Sequence, residues 1–373
     1  MQASADLLPV EIEACDCLTP FGGAVETHAA LLAGRRALAL TPVLGEAGGD
    51  AVPLALTGPL DETLPPRWLA PVARLVQTAA PGEWGRARTP VMVTSSNFGV
   101  GNLYAFTRTR DPRHLGDGPP FASVDLLART LGWGPQVQVF SHACVTAHLG
   151  LVQAARLLHA GLADQVLVCS FDYVSPFVAG GFHSLKILNG DFPAPYAVRP
   201  TGSIGLGDGA AVAVLRKPSA GGPRGWHVAA QALHNEMYHF TGNQPDGAGF
   251  AACVGALAEA AGGRRVWIKG HGTGTLEAGR LEAEGFARAF PGAPLVSWKG
   301  SLGHTLGSCG LVELALALAA LRDGRVPGTV GGQAPSFTDE VALAPFAAAG
   351  YDGALLASNA FGGAHAGLLL AHA

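Results

Sequence analysis

Twice along this chain a short run of apolar, β-branched residues gives way to a helical stretch and then to a second such run. The first trio is VQVF at 137–140, a helical pattern over about 146–159, and QVLVCS at 165–170. The second is VWIKG at 266–270, a helical stretch over about 281–289, and LVSWKG at 295–300. Strands alternating with helices in this way predict βαβ connections and an α/β fold. In the first helix Leu149, Val152, Ala155 and Leu158 recur at close to helical spacing, and Gly161 supplies a left-handed stop. A further helix is expected over about 311–322, ended by Gly324 and Pro327.

The segment KPSAGGPRG at 217–225 is the most linker-like stretch, and a strand-like GWHVAAQAL follows it. A boundary there divides the chain into halves 1–225 and 226–373 of similar α/β outline. Residues 41–90 and 240–250 are rich in Pro and Gly and read as loops. Hydrophobic residues make up 49% of the chain and charged residues 14%, well below the usual ~25% charged, so the chain commits most of its length to a packed core. The net charge of −4 offers no global basic field for nucleic acid or an anionic membrane. The apolar run at 314–321 falls well short of the ~18 residues a membrane span requires. Asp6, Glu11 and Glu13 stand where a signal peptide would carry basic residues, so export is not expected. Six cysteines without a CxxC spacing fit a reducing compartment, with the cytoplasm as the default.

The reactive residues fall where strands meet helices. Cys144, in SHACVTAHLG, follows a strand and opens a helix, whose N-terminus stabilises a thiolate; it reads either as a nucleophile or as a small buried apolar residue. His271, in IKGHGTGT, ends an apolar strand beside Thr273 and Thr275, small residues that let a substrate approach the backbone. It reads as a donor or general acid/base to a carbonyl, or as a structural histidine. His304, in SWKGSLGHTLGSCG, lies between Lys299 and Glu313, which are placed to form a buried ion pair fixing its orientation. On a doubly wound sheet such corners gather at the carboxyl edge, where ligands bind. GHGTGT and GLGDG both lack the full G-x-G-x-x-G spacing, so no dinucleotide cofactor is implied, and neither H-E-x-x-H nor paired Cys/His spacing supports a metal hydrolase.

Taken in order, LTPFG at 18–22, ALLAGR at 30–35, HACVTAH around Cys144, GLGDGAA at 205–211, HGTGT at 271–275, KGSLGHTLGSCGLVE at 299–313 and SNAFGGAHA at 358–366 resemble the β-ketoacyl synthases of the thiolase superfamily. The resemblance runs from about residue 9 to residue 370. It implies a five-layered αβαβα thiolase-like fold of two similar halves and a stand-alone, type II-like condensing enzyme without cofactor or metal. Cys144 would be the acylated nucleophile; His271 and His304 would support decarboxylation and hold the extender carbonyl, with Lys299 and Glu313 as their supporting pair. Backbone N–H groups of Cys144 and Phe361 would form the oxyanion hole. The implied partners are an acyl carrier protein bearing acyl and malonyl-type thioesters, met by basic candidates such as Arg35, Arg36, Lys186, Arg199 and Arg216, and a dimer mate that is either a second copy or a related subunit.

The chain departs from the family pattern in places. Gly279 and Arg280 replace an Asp-Pro pair, and Asn359-Ala360-Phe361-Gly362-Gly363-Ala364-His365 is two residues shorter than the family's terminal motif, leaving one phenylalanine of two. Two rival functions stand beside the leading one. A partner-dependent, non-catalytic chain-length-factor-like subunit would ordinarily lack Cys144, and a thiolase would carry a further cysteine near the C-terminus, whereas none follows Cys309.

Overall fold

The structure, a computed structural model, describes residues 5–6, 8–43, 50–60, 63–116, 118–239, 242 and 244–373. Ten strands carry the architecture: β1 (Val10–Leu18), β2 (Val91–Thr94), β3 (Val137–Phe140), β4 (Gln165–Asp172), β5 (Gly209–Arg216), β6 (Trp226–Asn235), β7 (Val266–Lys269), β8 (Leu295–Val296), β9 (Gly353–Ala360) and β10 (Ala364–His372). They hydrogen-bond in the order β8-β7-β9-β10-β6-β1-β5-β4-β2-β3. Counted outward from the centre, the first five strands run 1-5-4-2-3 and so do the second five. In each half strands 1 and 5 and strands 5 and 4 are antiparallel, while strands 4 and 2 and strands 2 and 3 are parallel. A short antiparallel pairing of Val10 with Val228 and Glu11 with His227 joins the halves.

Six helices complete the layers: α1 (Leu69–Ala79), α2 (Pro120–Leu131), α3 (Thr146–His159), α4 (Ala248–Ala261), α5 (Leu276–Ala289) and α6 (Cys309–Asp323). Helix α1 packs on β1 and β5, and α2 on β3 and α1; α4 covers β6 and β10, with α5 beside it. Helices α3 and α6 touch each other and strands of both halves, so they form a layer between two sheet faces. A helix in that position has no solvent side, and α6 is buried continuously from Cys309 to Leu318, which is why it reads as apolar all round. The layer order is helix, sheet, helix, sheet, helix, as the resemblance implies.

Four local expectations need correction. Residues 41–90 are not simply loops: they hold a strand, Ala51–Ala55, and α1. In α1 Leu69, Val72, Ala73 and Val76 are buried on one helical face, a pattern hidden in sequence by the flanking prolines. In 240–250, α4 already begins at Ala248; residues 240, 241 and 243 lie outside the described residues. The run at 295–300 is strand only to Val296, then turns into a short buried helix, Lys299–Leu302. Helix α5 starts five residues ahead of its predicted start.

Candidate active site

Three corners open at the carboxyl edge of the parallel strands. Between β3 and α3, Ala143 takes φ 45°, a left-handed conformation that costs a non-glycine residue about 1–3 kcal/mol. Thr146 holds it there: its Oγ1 accepts the His142 N–H at 2.7 Å and donates to the Ala143 carbonyl at 2.6 Å. The kink presents Cys144 at the start of α3. After β7, the Glu282 carboxylate of α5 accepts the backbone N–H of His271, that of Gly272 at 2.8 Å, and the Tyr196 hydroxyl at 3.0 Å. After the short helix, Gly303 turns at φ 70°, where a Cβ would stand 2.5 Å from the Leu206 backbone. The chain then delivers His304, whose N–H donates to the Gly205 carbonyl at 2.7 Å.

The corners converge. One cavity of about 100 Å³ is lined by Cys144, His271, His304, Thr273, Thr275 and Phe361, with Asn359 and Phe182 in its wall. Cys144 Sγ lies 2.9 Å from His304 Nε2, and the two imidazoles meet edge to face with centroids 4.9 Å apart. The Phe361 ring stacks on Phe182 at 5.9 Å. Burial, reinforced by Lys299, holds both histidines well below the usual imidazole range, so both are neutral at physiological pH. Burial also pushes the Cys144 thiol up, against the lowering expected from a helix N-terminus. The resting group is therefore a thiol sharing its proton with a neutral imidazole.

Lys299 and Glu313 lie behind the cavity. Lys299 Nζ donates to Glu313 Oε1 at 2.6 Å, and Lys269 Nζ bonds the same oxygen. The expected ion pair thus forms with a second lysine added, and neither ammonium is hydrogen-bonded to a histidine among the described residues. Desolvation lowers Lys299, but the Glu313 charge outweighs it and holds this ammonium above its ordinary range; burial brings Lys269 down to about 8.

Cys144, His271 and His304 place three metal-ligand types of atom within 4.8 Å of one another. A sulfur and a nitrogen on a tetrahedral zinc would stand ~3.5 Å apart, from bonds of about 2.3 and 2.0 Å. The 2.9 Å between Sγ and Nε2 is a hydrogen-bond distance, and these residues do not fit a zinc ion as arranged.

Sequence reasoning gave no role to Lys269, Glu282, Cys309 or Asn359. Lys269 closes an apolar strand, an unusual place for a lysine, which was its only signal. Glu282 sits eleven residues beyond His271, in the helical turn the prediction started too late to include fully. Cys309 donates to the Cys144 carbonyl at 3.3 Å, and Asn359 lines the cavity. His148 is buried and its Nε2 meets Ser358 Oγ at 3.2 Å, outside the cavity wall; burial lowers it to about 4. Gly279 and Arg280 lie in α5, where a Cβ at Gly279 would meet only the Phe337 ring at 3.6 Å and Arg280 pairs with Glu284 at 3.0 Å. Of the basic candidates, Arg216 is taken up by Glu11 at 2.7 Å, and Arg35 and Arg36 lie over the rings of Phe21 and Phe192.

Residues 227–333 match the family described as Beta-ketoacyl synthase, C-terminal domain. The chain is 31% identical over 272 residues to the tetracenomycin polyketide synthase ketoacyl synthase alpha subunit of Streptomyces glaucescens, a match covering 66% of this chain and 63% of that one. It is 28% identical over 246 residues to 3-oxoacyl-[acyl-carrier-protein] synthase 2 of Coxiella burnetii, covering 61% of this chain and 59% of that one. The chain thus spans about three-fifths of the length of these relatives. In fold it superposes on the ishigamide ketosynthase/chain length factor with a TM-score of 0.83 at 19% identity, over 98% of this chain and 99% of that one. No helix among the described residues is long and apolar enough to cross a membrane.

Proposed function

We propose that this chain, a β-ketoacyl synthase-type protein of the thiolase superfamily, condenses a carrier-bound acyl starter with a malonyl-type extender. The observation that carries the reading is the convergence of Cys144, His271 and His304 in one cavity with Sγ 2.9 Å from Nε2. Cys144 Sγ attacks the starter thioester as His304 takes its proton, and the departing carrier thiolate takes that proton back. The extender carbonyl then accepts N–H from the two neutral imidazoles, His304 having shifted to its Nε2–H tautomer, while the extender carboxylate leaves as carbon dioxide. The resulting enolate attacks the acyl-cysteine carbonyl, whose oxyanion accepts the backbone N–H groups of Cys144 and Phe361. The Cys144 thiolate leaves and takes one proton from solvent. The sum is a β-ketoacyl carrier thioester, carbon dioxide and a free carrier thiol.

Thr273 and Thr275 face the carrier arm from the cavity wall, and Lys299 with Glu313 holds the histidines' surroundings fixed. The halves 1–225 and 226–373 supply the nucleophile and the two histidines respectively. We take the enzyme to act in the cytoplasm, with an acyl carrier protein, as a dimer with itself or with a related subunit. Strand β3 supports the last point: it ends the sheet with β2 as its sole neighbour among the described residues, and Val139 on it is 42% exposed. The test is intact-mass spectrometry after incubation with a panel of acyl carrier thioesters, with Cys144→Ala as control. A mass gain equal to the acyl group, absent in the variant, is expected. No adduct from any donor would overturn the catalytic reading and leave a partner-dependent, chain-length-factor-like subunit.

A further inference from the structure

Asn359 lines the cavity and has a buried polar partner, His365. It lies opposite His365 across the β9–β10 pairing, and its Oδ1 is 2.8 Å from His365 Nδ1. The other ring nitrogen of His365 faces Glu236 Oε2 at 3.4 Å, with side chains only 1% and 2% exposed. Glu236 is itself fixed: its Oε1 accepts the Gln244 N–H at 2.7 Å and its own N–H donates to the Gly363 carbonyl at 2.9 Å. A Cβ on Gly363, at φ 70°, would meet Glu236 Cγ at 2.4 Å, so the turn bearing Phe361 closes directly against this carboxylate. The Phe250 ring of α4 covers the imidazole edge-on at 5.8 Å. With Oδ1 taken by His365, Asn359 Nδ2 has no hydrogen-bond partner among the described residues, and Asn359 is one of the residues lining the cavity that holds Cys144 and both histidines.

We propose that Asn359 is a substrate-positioning residue whose amide N–H donates to a carbonyl of the incoming thioester, and that His365, whose Nδ1–H donates to Asn359 Oδ1, is the positioning residue that turns that amide toward the cavity. The inference rests on the condensation reading above. It assigns work to the pair His365–Asn359, in which the imidazole is screened from solvent, an expensive arrangement for polar side chains unless their orientation matters. A histidine presents two nitrogens at different reach: asparagine reproduces Nδ1, and glutamine reproduces Nε2.

The experiment measures steady-state condensation with a carrier-bound starter and a malonyl carrier thioester for the wild type, Asn359→Asp, His365→Asn and His365→Gln. Asn359→Asp keeps the shape and removes the donor; kcat/KM for the extender falls about tenfold, mainly through KM, the loss expected of one hydrogen bond. His365→Asn retains a donor at the Nδ1 position and stays within about threefold of wild type, whereas His365→Gln loses it and follows Asn359→Asp. Thermal unfolding of each variant separates this pattern from damage to the fold. Wild-type turnover with Asn359→Asp unimpaired, or with both His365 variants equally affected, overturns the inference. Absence of wild-type turnover overturns the condensation reading and the inference with it.

Discussion

Neutralising Glu313 tests whether the buried charges behind the cavity are held as one unit. Glu313 Oε1 bonds both Lys299 and Lys269, whose side chains are 3% and 0% exposed. Glu313→Gln keeps the shape of the side chain but leaves two ammonium groups facing each other with no counter-charge. Removing one partner of a buried ion pair costs about 3–5 kcal/mol. At ~2.1 cal/mol/K per residue, the unfolding entropy of 373 residues is about 0.8 kcal/mol/K, so a loss of ~4 kcal/mol lowers Tm by about 5 °C. Lys269→Met removes the surplus positive charge and leaves the Lys299–Glu313 pair intact, so its cost is small or its effect stabilising. Thermal unfolding followed by circular dichroism at pH 7 reads both. A Glu313→Gln variant melting within 1 °C of wild type, or a Lys269→Met variant destabilised as much as Glu313→Gln, would refute the reasoning.

Three further outcomes follow from the geometry. His304→Ala removes the group at 2.9 Å from Cys144 Sγ and slows iodoacetamide labelling of Cys144 at pH 7 about 100-fold, whereas His271→Ala leaves labelling within about threefold and blocks extender decarboxylation. His148, His271 and His304 are buried with pKa values below the ordinary 6.5. The unfolded chain therefore binds their protons first, and stability present above pH 6.5 is lost as pH falls below it, down to about 4 for His148, by up to about 1.4 kcal/mol per pH unit for each group; Tm measured from pH 7 to 5 falls less steeply in His148→Asn. At Gly300 a Cβ would stand 1.8 Å from the Val330 carbonyl oxygen, so Gly300→Ala yields insoluble protein or a Tm more than 5 °C lower.

What could be read from the sequence was whatever is local. Cys144, His271 and His304 each sit in a contiguous strand–turn–helix string, and the motif around each survives translation into structure as a corner. Lys269 and Glu282 were missed because their meaning is set by a partner far along the chain: Lys269 by Glu313 on α6, and Glu282 by the N–H groups at His271 and Gly272 together with Tyr196. Glu236 and His365 were missed for the same reason, since only the pairing of β6, β10 and β9 brings them to Asn359. Helix α1 shows a different limit. Its buried face is periodic, but Pro65, Pro66 and Pro71 outweigh periodicity in a one-dimensional reading, while in the structure the first two precede the helix and the third sits in its first turn, where a missing N–H costs nothing.

The repeated strand order explains why Cys144 and His304 meet at all. Cys144 follows β3, the third strand of the first half, and His304 follows β8, the third strand of the second. The helices that come next, α3 and α6, occupy the same relative place and pack against each other in the central layer. Corresponding corners of two like halves, brought face to face across that layer, must approach one another, and here they do so at 2.9 Å. The chemistry is then divided by what each half puts after its second strand. After β7 stands His271, facing the cavity. After β2 stand Ser95, Ser96 and Asn97, which turn away from it to donate to the buried Asp172 at the end of β4. The first half thus uses the position equivalent to His271 to lock its own sheet edge, and the second uses it to present a second neutral imidazole. A repeated strand order therefore yields one cavity with one cysteine and two histidines, because the first half turns its second corner to Asp172 instead.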